Sequence, residues 1–176
     1  KFPMNFKQTQ FIVITICALG YGAIKFIDSK PQTLPKTGEI QVCFTPNKVC
    51  QRHILEMINS ANSSIKIHAF SFTDPDIGRA LQNAQARGVK IQLLLDKTNR
   101  TDKNSLLRIL QNIEYKFDYV PGIAHSKVML IDDKITITGS YNFTRAAYSR
   151  NAENVLFIHD PKITQVYLEN WNKRWG

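Results

Sequence analysis

Acidic residues are scarce in this chain of 176 residues, which has 14 aspartates and glutamates against 23 lysines and arginines. The formal net charge is therefore +9 at neutral pH, with histidine counted as neutral. A surplus of this size favours contact with a polyanion, either nucleic acid or an anionic membrane face. Charge alone does not establish such a contact, because many proteins are basic without binding either.

Long apolar runs are also scarce, and the sequence has no internal repeat or low-complexity tract. The extended apolar run covers residues 11–24 within a terminal segment, 1–28, and lysines stand on both sides of it. This pattern is typical of a signal peptide, although small residues for cleavage are poorly placed, and the run is short for a full membrane span. A retained anchor is preferred over a cleaved signal. Either one would place the remaining chain on the extracytoplasmic, periplasmic side of a membrane.

Cysteine is rare as well, with three in the whole chain. Residues 29–38 are polar, contain two prolines and predict an extended linker. Cys43 and Cys50 follow the linker, and in an oxidising compartment they could close a small loop. A disulfide between them is preferred over a pair of free thiols. A metal site is less favoured, because only His53 lies nearby and no second ligand pair is visible.

Residues 39–176 alternate between strand and helix patterns and predict one domain. Apolar alternation and short apolar runs predict strands at 40–44, 64–72, 89–96, 115–120, 128–131, 135–138 and 152–158. Helical spacing and caps predict helices at 49–61, 75–88, 104–113 and from 161 onward. The order predicts an α/β fold with a mixed, mainly parallel sheet and helices on both faces.

A concentration of polar groups marks residues 123–143, which read IAHSKVMLIDDKITITGSYNF. His125 and Lys127 are two residues apart, so on an extended chain both side chains project from the same face. The stretch 132–134 predicts a tight turn. The returning strand then brings three residues to the same end of the hairpin, Gly139, Ser140 and Asn142. An imidazole, an ammonium, a hydroxyl and a carboxamide at one place suit a phosphate oxyanion.

The spacing HxKxxxxD from His125, followed by GSxN from Gly139, resembles the signature of the phospholipase D superfamily. Glu153 falls where that family usually has a carboxylate. The resemblance covers roughly residues 39–175, and the stretch 64–96 is similar to the small, single-motif bacterial nucleases of the superfamily.

This resemblance implies a two-step phosphodiester transfer that needs no metal or other cofactor. One histidine attacks phosphorus to form a phosphohistidine, while a second protonates the leaving oxygen and then activates water. The sequence agrees, since no cluster of carboxylates with two-metal character surrounds the motif. The HxK motif occurs once, and the single-motif members of the family are homodimers. The resemblance therefore implies a two-fold dimer in which both His125 side chains share one site.

The resemblance also assigns a role to each polar position. His125 is the nucleophile in one subunit and the general acid and base in the other. Lys127 and Asn142 bind phosphoryl oxygens, and Ser140 assists by a hydrogen bond. Glu153 orients His125 and stabilises its protonated form, as a carboxylate does in a catalytic triad.

Two motif positions receive a structural interpretation. Asp132 lies five residues after Lys127, so it belongs to the opposite face of the strand. It either anchors the turn or contacts substrate, and the sequence leaves both open. Gly139 is expected to have a structural role in the backbone of the motif and no part in its chemistry.

Substrate is the point on which the sequence is least specific. The resemblance favours DNA, with RNA as a second possibility, and basic residues near the strand ends could follow a phosphate backbone: Lys97, Arg100, Lys103, Arg145 and Arg150. No basic stripe interleaved with aromatic residues stands out.

One alternative is a lipid phosphodiesterase similar to mitochondrial cardiolipin hydrolases, although no long apolar insertion for acyl chains is present. The other is a catalytically silent DNA-binding or uptake component, although every polar motif residue is intact.

Overall fold

The structure is a computed structural model that describes residues 40–176. The predicted terminal segment 1–28 and the linker 29–38 lie outside the described residues. The strands are β1 (Ile40–Phe44), β2 (Ser64–Ala69), β3 (Lys90–Asp96), β4 (Glu114–Asp118), β5 (Lys127–Ile131), β6 (Ile135–Gly139) and β7 (Asn154–Ile158). The helices are α1 (Val49–Ser60), α2 (Pro75–Ala86), α3 (Arg145–Ser149) and α4 (Pro161–Trp175). Two 3-10 turns lie at Lys97–Arg100 and Leu106–Arg108.

All seven strands join one sheet in the order β1-β7-β6-β5-β2-β3-β4. This confirms the mixed α/β fold. The sheet is less parallel than expected, because only β2–β3 and β3–β4 are parallel pairs and the other four pairings are antiparallel. Parallel neighbours need a long crossover, whereas β5 and β6 are joined by a tight turn and can only pair antiparallel.

Helices cover both faces of the sheet, as the sequence predicts. On one face, α1 and α2 bury Ile54 and Leu81 against Ile67 and Leu93 of the central strands. On the other face, α4 forms a smaller cluster whose buried members are Leu94, Leu130, Leu168 and Trp171. Among residues 40–176, no helix combines the length and the apolar content that a membrane crossing requires.

The predicted helix at 104–113 is wrong, since only the 3-10 turn Leu106–Arg108 forms there. Two polar side chains hold the backbone in short local turns here, because Asp102 accepts from the N–H of Asn104 and Ser105 caps the 3-10 turn by accepting from the N–H of Leu107. The apolar spacing that suggested a helix reflects burial of the leucines in the core. The strand predictions agree within two residues except at 64–72, which ends at Ala69.

The turn between β5 and β6 is fixed by the carboxylate of Asp132. Its oxygens accept the backbone N–H groups of Asn62, Ser63 and Ser64 at 2.8–2.9 Å, and the Ser63 hydroxyl at 2.9 Å. Burial opposes ionisation, but these hydrogen bonds outweigh it and lower the pKa of Asp132 from 3.8 to about 2. Asp132 therefore anchors the turn, which is one of the two interpretations that the sequence leaves open.

The predicted disulfide between Cys43 and Cys50 is present and ties β1 to the first turn of α1. Thr45, inside the small loop, binds the segment that precedes β7. Its N–H donates to the carbonyl oxygen of Glu153 at 3.0 Å, and its hydroxyl accepts from the Glu153 N–H at 2.9 Å. The same hydroxyl donates to the carbonyl oxygen of Asn151 at 2.8 Å. The loop thus fixes the backbone on both sides of residue 152.

Replacing Asp132 by Asn should lower the free energy of unfolding by about 1–2 kcal/mol, because neutral acceptors bind backbone N–H groups more weakly than a carboxylate does. Asn also tolerates the positive φ of 52° at this position. Since folding lowers the pKa of Asp132, its contribution is complete above a pH of about 4 and is lost as the pH falls toward 2. Urea titrations at several pH values measure the free energy of unfolding, which should fall less steeply with decreasing pH in the variant than in the wild type. An equally steep fall in both proteins would contradict this account.

Replacing both Cys43 and Cys50 by Ser should lower the free energy of unfolding by about 2 kcal/mol, as expected for a cross-link between residues seven apart. Urea unfolding of the oxidised protein and the variant measures the difference. Reductant provides the control, because it should shift the wild type to the variant's value and leave the variant unchanged. A variant as stable as the oxidised wild type would show that the bond contributes nothing.

Candidate active site

The open end of the β5–β6 hairpin brings His125 and Lys127 together, as predicted. Lys127 is the first residue of β5 and is buried, and its ammonium donates to the carbonyl oxygen of His125 at 2.8 Å. Burial lowers the pKa of Lys127, and the carboxylate of Glu153 partly offsets this effect. The His125 side chain is exposed above it. A fixed cation therefore lies beneath an accessible imidazole.

Phe70 is a member of the site that the sequence reasoning missed. Its ring meets the ring of His125 edge-on at 4.7 Å between centroids, and the Lys127 ammonium lies 5.3 Å from its centroid. Its N–H donates to the carbonyl oxygen of Ser126 at 3.0 Å. The register between β2 and β5, with Ala69 opposite Lys127, places Phe70 there. Pairing between distant strands determines this position, so no local sequence pattern could have revealed it.

Gly139 and Ser140 link the hairpin to β7. Gly139 has a φ of 150°, and a Cβ at this position would overlap the carbonyl oxygen of Asn154. Only glycine allows that approach. The next residue, Ser140, donates its N–H to the same carbonyl at 3.1 Å and accepts the Asn154 N–H on its hydroxyl at 3.1 Å. The structural role expected for Gly139 thus has a steric cause.

The carboxylate of Glu153 is held by hydrogen bonds to two polar side chains. One oxygen accepts from the Ser140 hydroxyl at 2.5 Å, and the other accepts from the Asn151 carboxamide at 2.9 Å. Within residues 40–176 of a single chain, the His125 ring makes no hydrogen bond with Glu153. The orienting role assigned to Glu153 accordingly stays a prediction, and Asn151 joins the site as a residue that the sequence did not indicate.

Asn142 faces an open cleft of about 860 Å³ that begins beside Phe70. Its carboxamide oxygen is buried and has no hydrogen-bond partner among the described residues. Three of the five predicted nucleic-acid contacts line this cleft, Lys103, Arg145 and Arg150, and Arg108 lines it without having been predicted. Arg100 lines a neighbouring cavity with Arg108, and Lys97 lines none of these spaces.

A buried network supports the loop that carries His125. Nε2 of His68 lies 2.9 Å from Oδ2 of Asp118, and Arg174 of α4 donates two hydrogen bonds of 2.7 Å to the same carboxylate. Burial lowers the pKa of His68, which favours its neutral form, although Asp118 acts in the opposite direction. His68 and His125 line one cavity of about 460 Å³. His68 is directed at Asp118 and thus braces the cavity wall.

These contacts define what the site can do chemically. The exposed imidazole of His125 and the buried ammonium of Lys127 both lie against the ring of Phe70, which also borders the cleft that Asn142 lines. A hydroxyl–carboxylate pair is held at the end of the hairpin. The ammonium and the carboxamide can neutralise and hold a phosphoryl group while the imidazole attacks it. No group of three or more possible metal ligands occurs in the part of the chain that the structure describes.

Comparison with known proteins gives the same family by sequence and by structure. The family model described as cardiolipin synthase, PLD-like domain matches residues 54–175. A phospholipase D from Rickettsia bellii is 49% identical over 138 residues, which are 77% of this chain and 69% of that protein. The mitochondrial cardiolipin hydrolase of Mus musculus is 32% identical over 124 residues, 69% of this chain and 56% of that protein.

Two solved structures are similar over nearly their whole length. Nuc, a phospholipase D family member from Salmonella typhimurium, has a TM-score of 0.73 and 36% identity, and the match covers 77% of this chain and 93% of Nuc. NucT from Helicobacter pylori has a TM-score of 0.69 and 27% identity, with coverage of 78% and 96%. Together with the geometry of the hairpin, these matches show that the chain belongs to the phospholipase D superfamily and is a phosphodiesterase.

Proposed function

We propose that this phosphodiesterase is a metal-independent endonuclease of broad sequence tolerance that cuts DNA, and RNA as a second substrate. The observation that carries the proposal is the cleft beside Asn142. Four cations line it, Lys103, Arg108, Arg145 and Arg150, and none forms an ion pair with another described residue. Unpaired cations in an open groove suit a polymer that presents phosphates at regular intervals.

The comparisons support this reading of the cleft. Nuc and NucT match over nearly their whole length, which agrees with the resemblance to small bacterial nucleases. Nothing in the mechanism requires a metal, because Lys127 and Asn142 supply the stabilisation of the phosphoryl oxygens.

The reaction proceeds in two displacements at phosphorus. A ring nitrogen of His125 attacks, a phosphorus–nitrogen bond forms, and the bond to the leaving oxygen breaks as His125 of the partner subunit donates a proton to it. The partner histidine then takes a proton from water, whose oxygen displaces the first histidine from phosphorus. The chain therefore acts as a homodimer, and the exposure of His125 supports this arrangement because a second copy can approach it.

A lipid phosphodiesterase is the second candidate, and the names of similar proteins favour it. The relatives named phospholipase D and mitochondrial cardiolipin hydrolase cover most of residues 40–176. A membrane anchor at 1–28 would bring lipid phosphodiesters within reach.

We also propose that the catalytic domain lies on the extracytoplasmic side of a membrane. The disulfide supports that location, since such bonds persist in oxidising compartments.

The protein should cleave single-stranded and duplex DNA in excess EDTA, since its nucleophile and its phosphate-binding groups are side chains. Changing His125 to Ala should reduce the rate by at least about a thousandfold, because no nucleophile remains. Gel assays with end-labelled DNA measure both effects. His53→Ala, on the distant α1, is the control and should keep near wild-type activity. Loss of cleavage in EDTA, or full activity of His125→Ala, would contradict the mechanism. Inactivity on DNA and RNA with cleavage of cardiolipin vesicles would favour the lipid candidate.

Mixing wild-type subunits with His125→Ala subunits tests the shared site. Each active dimer needs two intact histidines, so after full subunit exchange the activity should fall with the square of the wild-type fraction. Initial rates across a series of mixing ratios measure the dependence, and unmixed dilutions provide the control. A linear dependence, or full activity from a monomer in sedimentation, would show that one chain contains the complete site.

A further inference from the structure

Strand β4 forms one edge of the sheet and carries aromatic side chains along one of its faces. Tyr115, Phe117 and Tyr119 alternate with other residues, and neighbouring rings meet edge-on with centroids 5.6 and 6.4 Å apart. Tyr115 is 49% exposed and Tyr119 is 66% exposed, while Phe117 is half-buried against the core. We name these three residues the aromatic ladder. It spans about 13 Å along the strand.

The fold does not need the two tyrosines. The opposite face of β4 makes the contacts that hold the strand, since Lys116 donates to the carbonyl oxygen of Trp175 and Asp118 binds Arg174. Phe117 supplies the contact between the ladder and the core. Exposed rings that stand in a row are characteristic of a binding surface.

Two arginines stand beside the aromatic ladder. Arg100 and Arg108, from the two 3-10 turns, line a cavity of about 430 Å³ together with Tyr115 and Phe117. Neither arginine forms an ion pair with any residue of the described chain. Arg108 also lines the cleft that reaches Asn142. Basic side chains therefore line a continuous path from the cleft beside Asn142 to the aromatic ladder.

We propose that the aromatic ladder, with Arg100 and Arg108, binds single-stranded nucleic acid that extends from the cleft beside Asn142. Unpaired bases stack on exposed aromatic rings, and arginines neutralise the phosphates between them. The bases of a duplex are stacked on one another and leave no face for Tyr115 or Tyr119. The surface therefore selects single strands. This inference rests on the proposed nuclease function and assigns its substrate class.

This surface does not stand out in the sequence as a basic stripe interleaved with aromatic residues. The rings come from β4 and the arginines come from turns that precede it, so the two types do not alternate in sequence. Only the parallel pairing of β3 with β4 brings them side by side.

Binding to fluorescein-labelled oligothymidylate of about 12 nucleotides tests the proposal. Fluorescence anisotropy is measured in the full chain with His125→Ala, which prevents cleavage. Adding Tyr115→Ala and Tyr119→Ala should weaken binding about tenfold or more, because two stacking surfaces are lost. The corresponding changes to Phe keep the rings and should keep the affinity. Phe44→Ala is the matched control, since Phe44 is 57% exposed on β1 at the opposite edge of the sheet.

Salt dependence and a duplex probe separate stacking from charge. Arg108→Ala should lower the slope of log affinity against log salt by about one, whereas the tyrosine changes should leave this slope intact. Duplex DNA of the same length should bind the tyrosine variants as it binds their parent. Unchanged oligothymidylate affinity in a double alanine variant with native circular dichroism would overturn the proposal. So would an equal loss for duplex.

Other occupants of this edge give different outcomes. If the tyrosine changes abolish self-association in sedimentation, or binding to phosphatidylglycerol vesicles, and leave oligothymidylate binding intact, the proposal is overturned. The wild-type cleavage assay distinguishes failure of the nuclease function itself. If the wild type cleaves DNA and the tyrosine changes do not affect cleavage or binding, the nuclease function stands and the proposed role of the aromatic ladder is overturned. If single strands bind in a way that depends on the tyrosine rings but the wild type does not cleave them, the role of the aromatic ladder is supported and the nuclease function is overturned.

Discussion

The carboxylate of Asp132 fixes the closed end of the hairpin on which the site is built. It holds the turn against the backbone that leads into β2, so β5 enters the centre of the sheet in one register. A slip of one residue would turn every side chain of the strand to the opposite face. Lys127 would then leave its buried position beneath His125. The hydrogen bonds of Asp132 at the turn thus determine which face Lys127 occupies at the open end of the hairpin.

The open end of the hairpin depends on support from three other parts of the chain. Phe70, at the end of β2, contacts both His125 and Lys127. The pair of Asp118 and Arg174 connects β4 with α4 beneath the loop that carries His125. Buried charge is costly unless it is paired, and here the carboxylate is paired with a guanidinium through two hydrogen bonds. The His125 side chain itself stays exposed.

The sequence predicted the parts of this protein that depend on local pattern. The hairpin and the disulfide follow from spacing and turn chemistry, and the structure has both. The failed helix at 104–113 shows the limit of apolar spacing, because the leucines there are buried without a helix. Phe70 and Arg108 could not be found in this way, since contacts between distant strands and turns bring them to their places. Asn151 bonds Glu153 from only two residues away, but it belongs to no motif that the sequence showed.

The hydrogen bonds between Thr45 and Glu153 have a consequence for the order of folding. These residues are 108 positions apart, whereas the turn of the β5–β6 hairpin closes within a few residues. Closing a long loop costs more entropy than closing a short one, so contacts of high sequence separation form late. We therefore expect the hairpin to be in place before β1 docks beside β7. The backbone that carries Glu153 gains its final position in that last step, so this carboxylate reaches Ser140 and Asn151 only when the sheet is complete.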